Sequence, residues 1–237
     1  MKKINKKSAI IIAIVVLIVC SIIAFLSIRS FLGKSEYEVS FYSDTGTLLA
    51  VEKINRNGTP TPPNNPQIQY GKIFQKWDTD FTNVKKDLDV YPESINFAGK
   101  ANVFALPGTY GKHGDTVILP LSLCGDVCLS GFDISVSYDS NVLELESVFN
   151  EDGAVIYNTE SKGVVRINYT SVENTLADVD ICSLKFQIIG EVEKTDVAIS
   201  IESVCANNDD ETFFVPETNL INASVYVLPN KGGVLGD

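Results

Sequence analysis

The stretch "GFDISVSYDSNVLELESV", residues 131–148, decides the fold of the larger part of this chain. Apolar side chains occupy every second position from Phe132 to Tyr138, and polar side chains such as Asp133 and Ser135 lie between them. This period of two predicts a strand with one face in a core and one face outside. The pattern leaves open whether the polar face is only solvated or is a binding surface.

The region around this stretch, residues 95–228, contains regularly spaced runs that resemble short strands, with turn signals between them and no amphipathic helical pattern. Such spacing is typical of a β-sandwich or jelly roll. The nine predicted strands are 101–105, 116–123, 131–138, 142–148, 154–158, 163–170, 181–189, 196–204 and 222–228.

The N-terminus predicts a membrane anchor. Four lysines lie in the basic segment 1–7, and 21 residues without a charge follow at 8–28. As a helix they would span about 31 Å, close to the thickness of a bilayer core. Lysines before an apolar run place the N-terminus inside and the rest outside, after a linker at 29–36. A cleaved signal peptide is the alternative, but its apolar region is usually shorter.

Charge excludes one class of partner. Beyond residue 36 the chain has 13 basic and 29 acidic side chains, a net charge of −16. Such a surface repels nucleic acid and favours neutral or cationic partners. We therefore expect no nucleic-acid binding, and we interpret residues 229–237 as a flexible tail.

The residues offer little for catalysis. The only histidine, His113, lies in the glycine-rich turn "YGKHGD", so Ser–His and Cys–His mechanisms are disfavoured. The acidic cluster "NNDDE" at 207–211 fits either a calcium site or, with better support, a solvated turn. We expect neither an enzyme nor a resident metal or cofactor.

Four cysteines follow the apolar run. Cys182 and Cys205 share the parity of apolar neighbours in their own strands, so both are predicted to point into a core. A Cys182–Cys205 disulfide and two buried free thiols remain equally good alternatives. Cys124 and Cys128 flank a short loop, in which a staple could form.

Residues 37–92 form a separate small unit. A hairpin, "YEVSFYSDTGTLLAVEKI", is followed by a proline-rich loop and by "FQKWDTDFTNVKKDLDVYP". This order resembles the internalin B-type (Listeria–Bacteroides) repeat, although Lys76 stands where that family usually has Gly. The resemblance implies a β-grasp-like extracellular spacer. Its predicted core comprises Phe41, Leu49, Phe74, Trp77 and Leu88.

The second region resembles a cohesin domain, the scaffold module that captures dockerin-bearing enzymes in cellulosome-type assemblies. The resemblance rests on "PGTYGKHGDTVILPLSL", "GFDISVSYDSNVLELESV", "GVVRINYTSVEN" and "DICSLKFQIIG", in this order. It spans 99–228, with Ser140 in place of a usual proline. The implied architecture is all-β: a nine-stranded jelly-roll β-sandwich preceded by a small β-grasp-like repeat and an N-terminal transmembrane helix.

The resemblance also implies a dockerin-binding face on one sheet, made by four strands. In that family one strand carries an Asn and an Asp two residues apart, which correspond here to Gly131 and Asp133, so the Asn is lost. A further strand is expected to follow "ANND" at 206–209. The implied face residues are Gly131, Asp133, Ser135, Val155, Tyr157, Arg166, Asn168, Asn208, Asp210 and Thr212.

The sequence thus predicts a membrane-anchored scaffold protein on the extracellular face of a Gram-positive cell. Its cohesin-like module would bind a dockerin-bearing protein, and Ca²⁺ is expected on that partner and not on this chain. Two alternatives are a carbohydrate-binding surface protein and an adhesin or stalk that reuses the fold. The first would need a row of exposed aromatic rings, whereas the single tryptophan, Trp77, lies in the small unit.

Overall fold

The computed structural model describes residues 14–24, 35–64, 66–99, 102–125, 128–149, 155–171, 179–207 and 213–230. Residues 14–24 are helical and lie within the predicted anchor, whose remaining residues fall outside the described part. Among the helical residues described, no helix has both the length and the apolar character needed to span a bilayer.

The small unit contains five strands. The hairpin β1 (Glu36–Tyr42) and β2 (Leu48–Asn55) forms as predicted, and β4 (Leu88–Val90) pairs in parallel with β1. A second pair joins β3 (Lys72–Trp77) to β5 (Pro92–Asn96). The pairing therefore continues to Asn96, four residues past the predicted end of this unit.

The core of the small unit is larger than predicted. Phe41, Phe74 and Trp77 are buried, but Leu49 and Leu88 are only partly buried. Aromatic edges pack closely, with the Phe41 and Trp77 ring centroids 5.1 Å apart. The buried side chains that the sequence analysis did not select are Val39, Ile54, Phe81, Val84 and Val90.

The larger unit is a two-layered β-sandwich. Its described residues form twelve strand segments and not the nine predicted, because β7, β15 and β16 are short and lack a clear alternating pattern. The segments are β6 (Asn102–Ala105), β7 (Thr109–Lys112), β8 (Thr116–Cys124), β9 (Gly131–Tyr138), β10 (Leu143–Phe149), β11 (Ile156–Asn158), β12 (Val164–Thr170), β13 (Val179–Ile188), β14 (Lys194–Asn207), β15 (Phe213–Phe214), β16 (Thr218–Ile221) and β17 (Ala223–Leu228).

Two sheets enclose the core of the sandwich. The five-stranded sheet has the order β10-β13-β8-β6-β16, and the seven-stranded sheet has the order β11-β12-β9-β14-β17-β7, with β15 attached to β14. Leu119 and Phe186 from the first sheet meet Ile134 and Ile167 from the second, all fully buried. Burial of each such side chain stabilises the fold by about 1.5–3 kcal/mol. This free energy fixes which face of each strand points into the core, and the residues between the core positions lie on the outer face of the sheet.

The two units share a packed junction. Tyr110 of β7 and Leu228 of β17 join the hydrophobic core of the small unit. The Trp77 amide donates a hydrogen bond to Tyr110 Oη at 3.0 Å, and the Gly108 amide donates one to the Phe74 carbonyl at 2.8 Å. These contacts place the small unit against the β17–β7 end of the seven-stranded sheet.

Candidate functional site

The central strand β9 has the two faces that its sequence predicts. Phe132, Ile134 and Val136 are buried in the sandwich core. Asp133 and Ser135 lie on the opposite face of the same strand. The predicted alternation is therefore confirmed, and it places a carboxylate and a hydroxyl on the outside of the seven-stranded sheet.

Strand β12 brings the second predicted pair next to the first. It runs antiparallel to β9, with Asn168 opposite Asp133 and Arg166 opposite Ser135. Both β12 side chains are exposed, whereas Ile167 between them is fully buried. Directly opposed residues of antiparallel strands interact across the sheet, so Asp133, Ser135, Arg166 and Asn168 share one face. Of these four residues, Ser135 is buried.

Strand β14 supplies the other side of this surface, which was not predicted. Ser200 lies opposite Ser135, with their hydroxyl oxygens 3.1 Å apart, and Ser203 lies opposite Asp133. A signal was present, because Ser200 has the opposite parity to the apolar Ile199 and Ile201. The resemblance instead placed this strand after residues 206–209, at Asn208, Asp210 and Thr212. These three residues lie outside the described part of the chain, and the strand that pairs with β9 ends at Asn207.

Strand β11 corrects the prediction by one residue. Val155 is only 7% exposed and belongs to the core. Tyr157 lies opposite the buried Ile167, so it shares the inner side of the sheet, at its edge. Ile156, 74% exposed, and Asn158 lie opposite Asn168 and Arg166 and take the outer positions instead. A strand of three residues is too short for its parity to be assigned from sequence alone.

The outer face is thus defined by four strands in the order β14-β9-β12-β11. It combines acidic, basic, amide, hydroxyl and apolar groups within a regular strand register. Its residues are Asp133, Ser135, Ile156, Asn158, Arg166, Asn168, Ser200 and Ser203.

The carboxylate of Asp133 is incompletely satisfied within the chain. Its Oδ1 atom is buried and has no hydrogen-bond partner among the described residues. Such atoms are uncommon, because a buried polar atom without a partner costs about 1–3 kcal/mol. Asp133 is therefore the side chain of the outer face that is least satisfied within the described part of the chain.

Gly131 lies at the buried end of β9, opposite Cys205. A Cβ atom at residue 131 would lie 3.1 Å from the Tyr169 carbonyl oxygen and 3.2 Å from Cys205 Sγ. The Cys205 side chain therefore fills the space that a side chain at residue 131 would need. A larger side chain such as the Asn that the family resemblance implied would be crowded at this position.

Of the two alternatives left open for Cys182 and Cys205, the structure has free thiols and no disulfide between them. Cys182 is in β13 of the five-stranded sheet, where it pairs with Leu121, and Cys205 is in β14 of the other sheet. Burial raises the pKa of the Cys182 thiol to about 12. The register of β14 shifts between Ile201 and Ser203. This bulge reverses the parity that follows it, so Cys205 does not point into the core as predicted.

An ion pair lies further along the seven-stranded sheet, towards β17. Lys194 Nζ is 2.9 Å from Asp196 Oδ1, which also accepts a hydrogen bond from Ser224. The hydrogen bonds from Lys194 and Ser224 lower the pKa of Asp196, and the bond to Asp196 raises the pKa of Lys194. These charges are matched within the chain, in contrast to the carboxylate of Asp133.

Comparison with solved structures supports the sandwich architecture. The seventh ScaB type I cohesin from Pseudobacteroides cellulosolvens matches with a TM-score of 0.51 and 14% identity, covering 58% of this chain and 97% of that one. The sixth cohesin of Acetivibrio cellulolyticus scaffoldin B, solved with a dockerin, gives 0.46 and 21% identity, covering 54% and 99%. A type I cohesin–dockerin complex from Clostridium thermocellum gives 0.45 and 16% identity, covering 54% and 99%.

At these identities the first of the three supports the fold alone, and the other two add no weight. No curated protein sequence matches the chain. The Cohesin domain family model matches residues 103–227, which is more than half of the 237 residues. This match contains every residue of the outer face, and the chain belongs to the cohesin domain family.

Proposed function

We propose that this protein is a non-catalytic scaffold component whose cohesin domain binds the dockerin domain of an extracellular enzyme or of another scaffold protein. The observation that carries the proposal is the register of β9 and β12, which sets Asp133 opposite Asn168. Together with Ser200 and Ser203, these groups form a polar surface on a rigid sheet. Family membership supports a dockerin as the partner.

The outer face favours a helical partner that carries hydroxyl and basic side chains. The Asp133 carboxylate belongs to this face, and Ser, Thr, Lys or Arg can donate a hydrogen bond to a carboxylate. Ile156 offers an exposed apolar contact beside these polar groups. Calcium enters this proposal through the dockerin and not through the residues of the outer face.

We further propose that residues 8–28 anchor the protein in the cell membrane and that residues 37–92 are an internalin B-type spacer on the extracellular side. The charge-free run behind four lysines supports the first proposal. The hairpin and the closing strands of the small unit support the second. Carbohydrate binding by Trp77 is disfavoured, because this residue is only 3% exposed and cannot stack on a sugar.

The test is a binding titration of the full chain with purified dockerin-bearing proteins from its own organism, with calcium and with EDTA. We expect at least one of them to bind in calcium and to lose binding in EDTA, because the dockerin and not this chain requires the ion. If no member of the set binds in either condition, the proposed function is wrong.

A further inference from the structure

A cleft of about 770 Å³ lies at the junction of the small unit and the sandwich. Residues 76–82 form one wall, and residues 191–193 and 226–230 form the other. Its volume is within the range of about 300–1,000 Å³ that is common for ligand sites. This junction cleft lies beyond β14 and does not include any residue of the outer face.

The geometry of the junction cleft is fixed by direct contact between the two units. The hydrogen bonds from Trp77 to Tyr110 and from Gly108 to Phe74 cross the junction. The two backbones approach so closely at Gly108 that an added Cβ atom would collide with the Gln75 carbonyl oxygen. The walls are therefore preorganised, which lowers the entropic cost of binding a ligand between them.

The lining of the junction cleft carries four carboxylates. Asp78 and Asp80 come from the small unit, and Glu191 and Glu193 come from the sandwich. Within the described part of the chain, no salt bridge involves any of the four. The lysine of the lining, Lys76, is 3.1 Å from Glu93 and is therefore already paired.

Two of these carboxylates are held in position by the backbone. Asp78 Oδ1 accepts a hydrogen bond from the Tyr91 amide at 3.0 Å. Asp80 Oδ1 accepts bonds from the Thr82 amide at 2.8 Å and from the Thr82 hydroxyl at 2.7 Å. Each of these bonds uses Oδ1, so the carboxylates are oriented while Oδ2 of each can receive a ligand.

Aromatic side chains complete the lining. Tyr110 and Tyr226 are stacked, with ring centroids 4.7 Å apart and an interplanar angle of 14°. Both are half-buried, and Trp77 and Phe81 are buried beside them. Carboxylates next to aromatic rings attract ammonium and guanidinium groups through charge and cation–π interactions. The same lining repels anions, and its buried indole cannot form a stacking platform for a sugar.

We propose that the junction cleft binds a lysine- or arginine-containing segment of a protein partner. This site goes beyond the proposed dockerin face, because both units build it and its residues are different. The excess of unpaired carboxylates in the cleft determines the chemistry of the ligand.

The only tryptophan of the chain, Trp77, lines the cleft and supplies the measurement. Its fluorescence is followed while the full chain is titrated with amidated tetralysine, with a tetraserine peptide and with a cello-oligosaccharide. We expect a saturable change with tetralysine alone, and we expect it to weaken as salt is added.

The test variant is Glu191→Gln with Glu193→Gln, which removes two exposed charges from the cleft and keeps the side-chain shape. The matched control is Glu144→Gln with Glu217→Gln, two exposed carboxylates elsewhere on the sandwich. Tetralysine affinity should fall at least tenfold in the test variant and should be unchanged in the control.

Two results would overturn the proposal: no saturable change with tetralysine, whether or not the sugar gives one, or an equal loss of tetralysine affinity in the test and control variants. A variant with Asp133→Ala and Asn168→Ala separates this site from the dockerin face. It should retain full tetralysine binding whether or not a dockerin binds, so the two proposals can fail independently.

Discussion

Cys205 Sγ lies 3.2 Å from the position that a Cβ atom of residue 131 would occupy. These two residues are directly opposed across β9 and β14, so a side chain at residue 131 would crowd that of Cys205. In this chain the side chain belongs to Cys205 of β14, and the opposed residue of β9 is Gly131. One end of the outer face therefore presents a thiol where the family resemblance implied an amide.

This relationship predicts that substitutions at the two positions are coupled. Gly131→Ala should lower the free energy of unfolding by about 1 kcal/mol, since the new methyl group crowds Cys205 and the Tyr169 carbonyl. In the presence of Cys205→Gly the same substitution should cost less. A double-mutant cycle measured by urea unfolding gives the coupling, and a coupling near zero would show that Cys205 does not restrict residue 131.

The junction predicts a separate effect for Gly108→Ala. An added methyl group collides with the Gln75 carbonyl oxygen and should separate the small unit from the sandwich. Trp77 would then become exposed, and its fluorescence emission should shift to longer wavelength. The control is Gly46→Ala, because Gly46 has φ +83° in an open turn and its replacement strains only that turn. An unshifted emission spectrum in Gly108→Ala, or an equal red shift in Gly46→Ala, would contradict the packed junction.

Tyr110 predicts how the stability of the junction depends on pH. Burial raises the pKa of Tyr110 above its ordinary value of 10.0. The folded state therefore holds the phenolic proton more tightly than the unfolded state. The free energy of unfolding keeps its full value below pH 10 and decreases as the pH rises above 10, because the unfolded state then loses this proton first. Tyr110→Phe should remove that part of the decline, at a cost of about 1 kcal/mol at neutral pH for the lost hydrogen bond with Trp77.

The measurement is urea unfolding of both proteins at pH 8 and at pH 10.5. Stability should fall by more in the native chain than in Tyr110→Phe. Tyr157→Phe serves as the control, since Tyr157 is exposed and its replacement should leave the decline intact. Equal declines in the native chain and in Tyr110→Phe would exclude Tyr110 as the source.

The cysteines predict a pattern of thiol reactivity. With a pKa of about 12, Cys182 carries a thiolate in roughly one molecule in ten thousand at pH 8. Its burial also blocks access, whereas Cys128 is exposed. Iodoacetamide labelling at pH 8, mapped by mass spectrometry, should modify Cys128 first and Cys182 only after unfolding. Early labelling of Cys182 would show that this part of the core is open.

The long alternating strands were predictable, because their core faces are fixed by an apolar residue at every second position. β9 and β12 matched their predictions closely, including the exposed side chains of Arg166 and Asn168. Burial of one whole face specifies the register strongly, since a slip by one residue would expose every core side chain of the strand.

The errors have local physical causes. β11 has three residues, so its sequence could not distinguish Tyr157 from Ile156 as the outward residue. The bulge after Ile201 reversed the parity at Cys205, and a bulge leaves no clear mark in a single sequence. The junction was missed because its contacts join Trp77 to Tyr110 and Leu228, far apart along the chain.

The central claim is that a partner binds the outer face through Asp133 and Asn168. The most direct test measures the dissociation constant between a calcium-loaded dockerin and each of two double variants of this chain. The first is Asp133→Ala with Asn168→Ala. The second is Glu144→Ala with Gln187→Ala, an acid and an amide that are likewise directly opposed, but on the five-stranded sheet. We predict at least tenfold weaker binding for the first variant, about 1.4 kcal/mol, and native affinity for the second. Native affinity for the first variant, with its fold intact, would contradict the account.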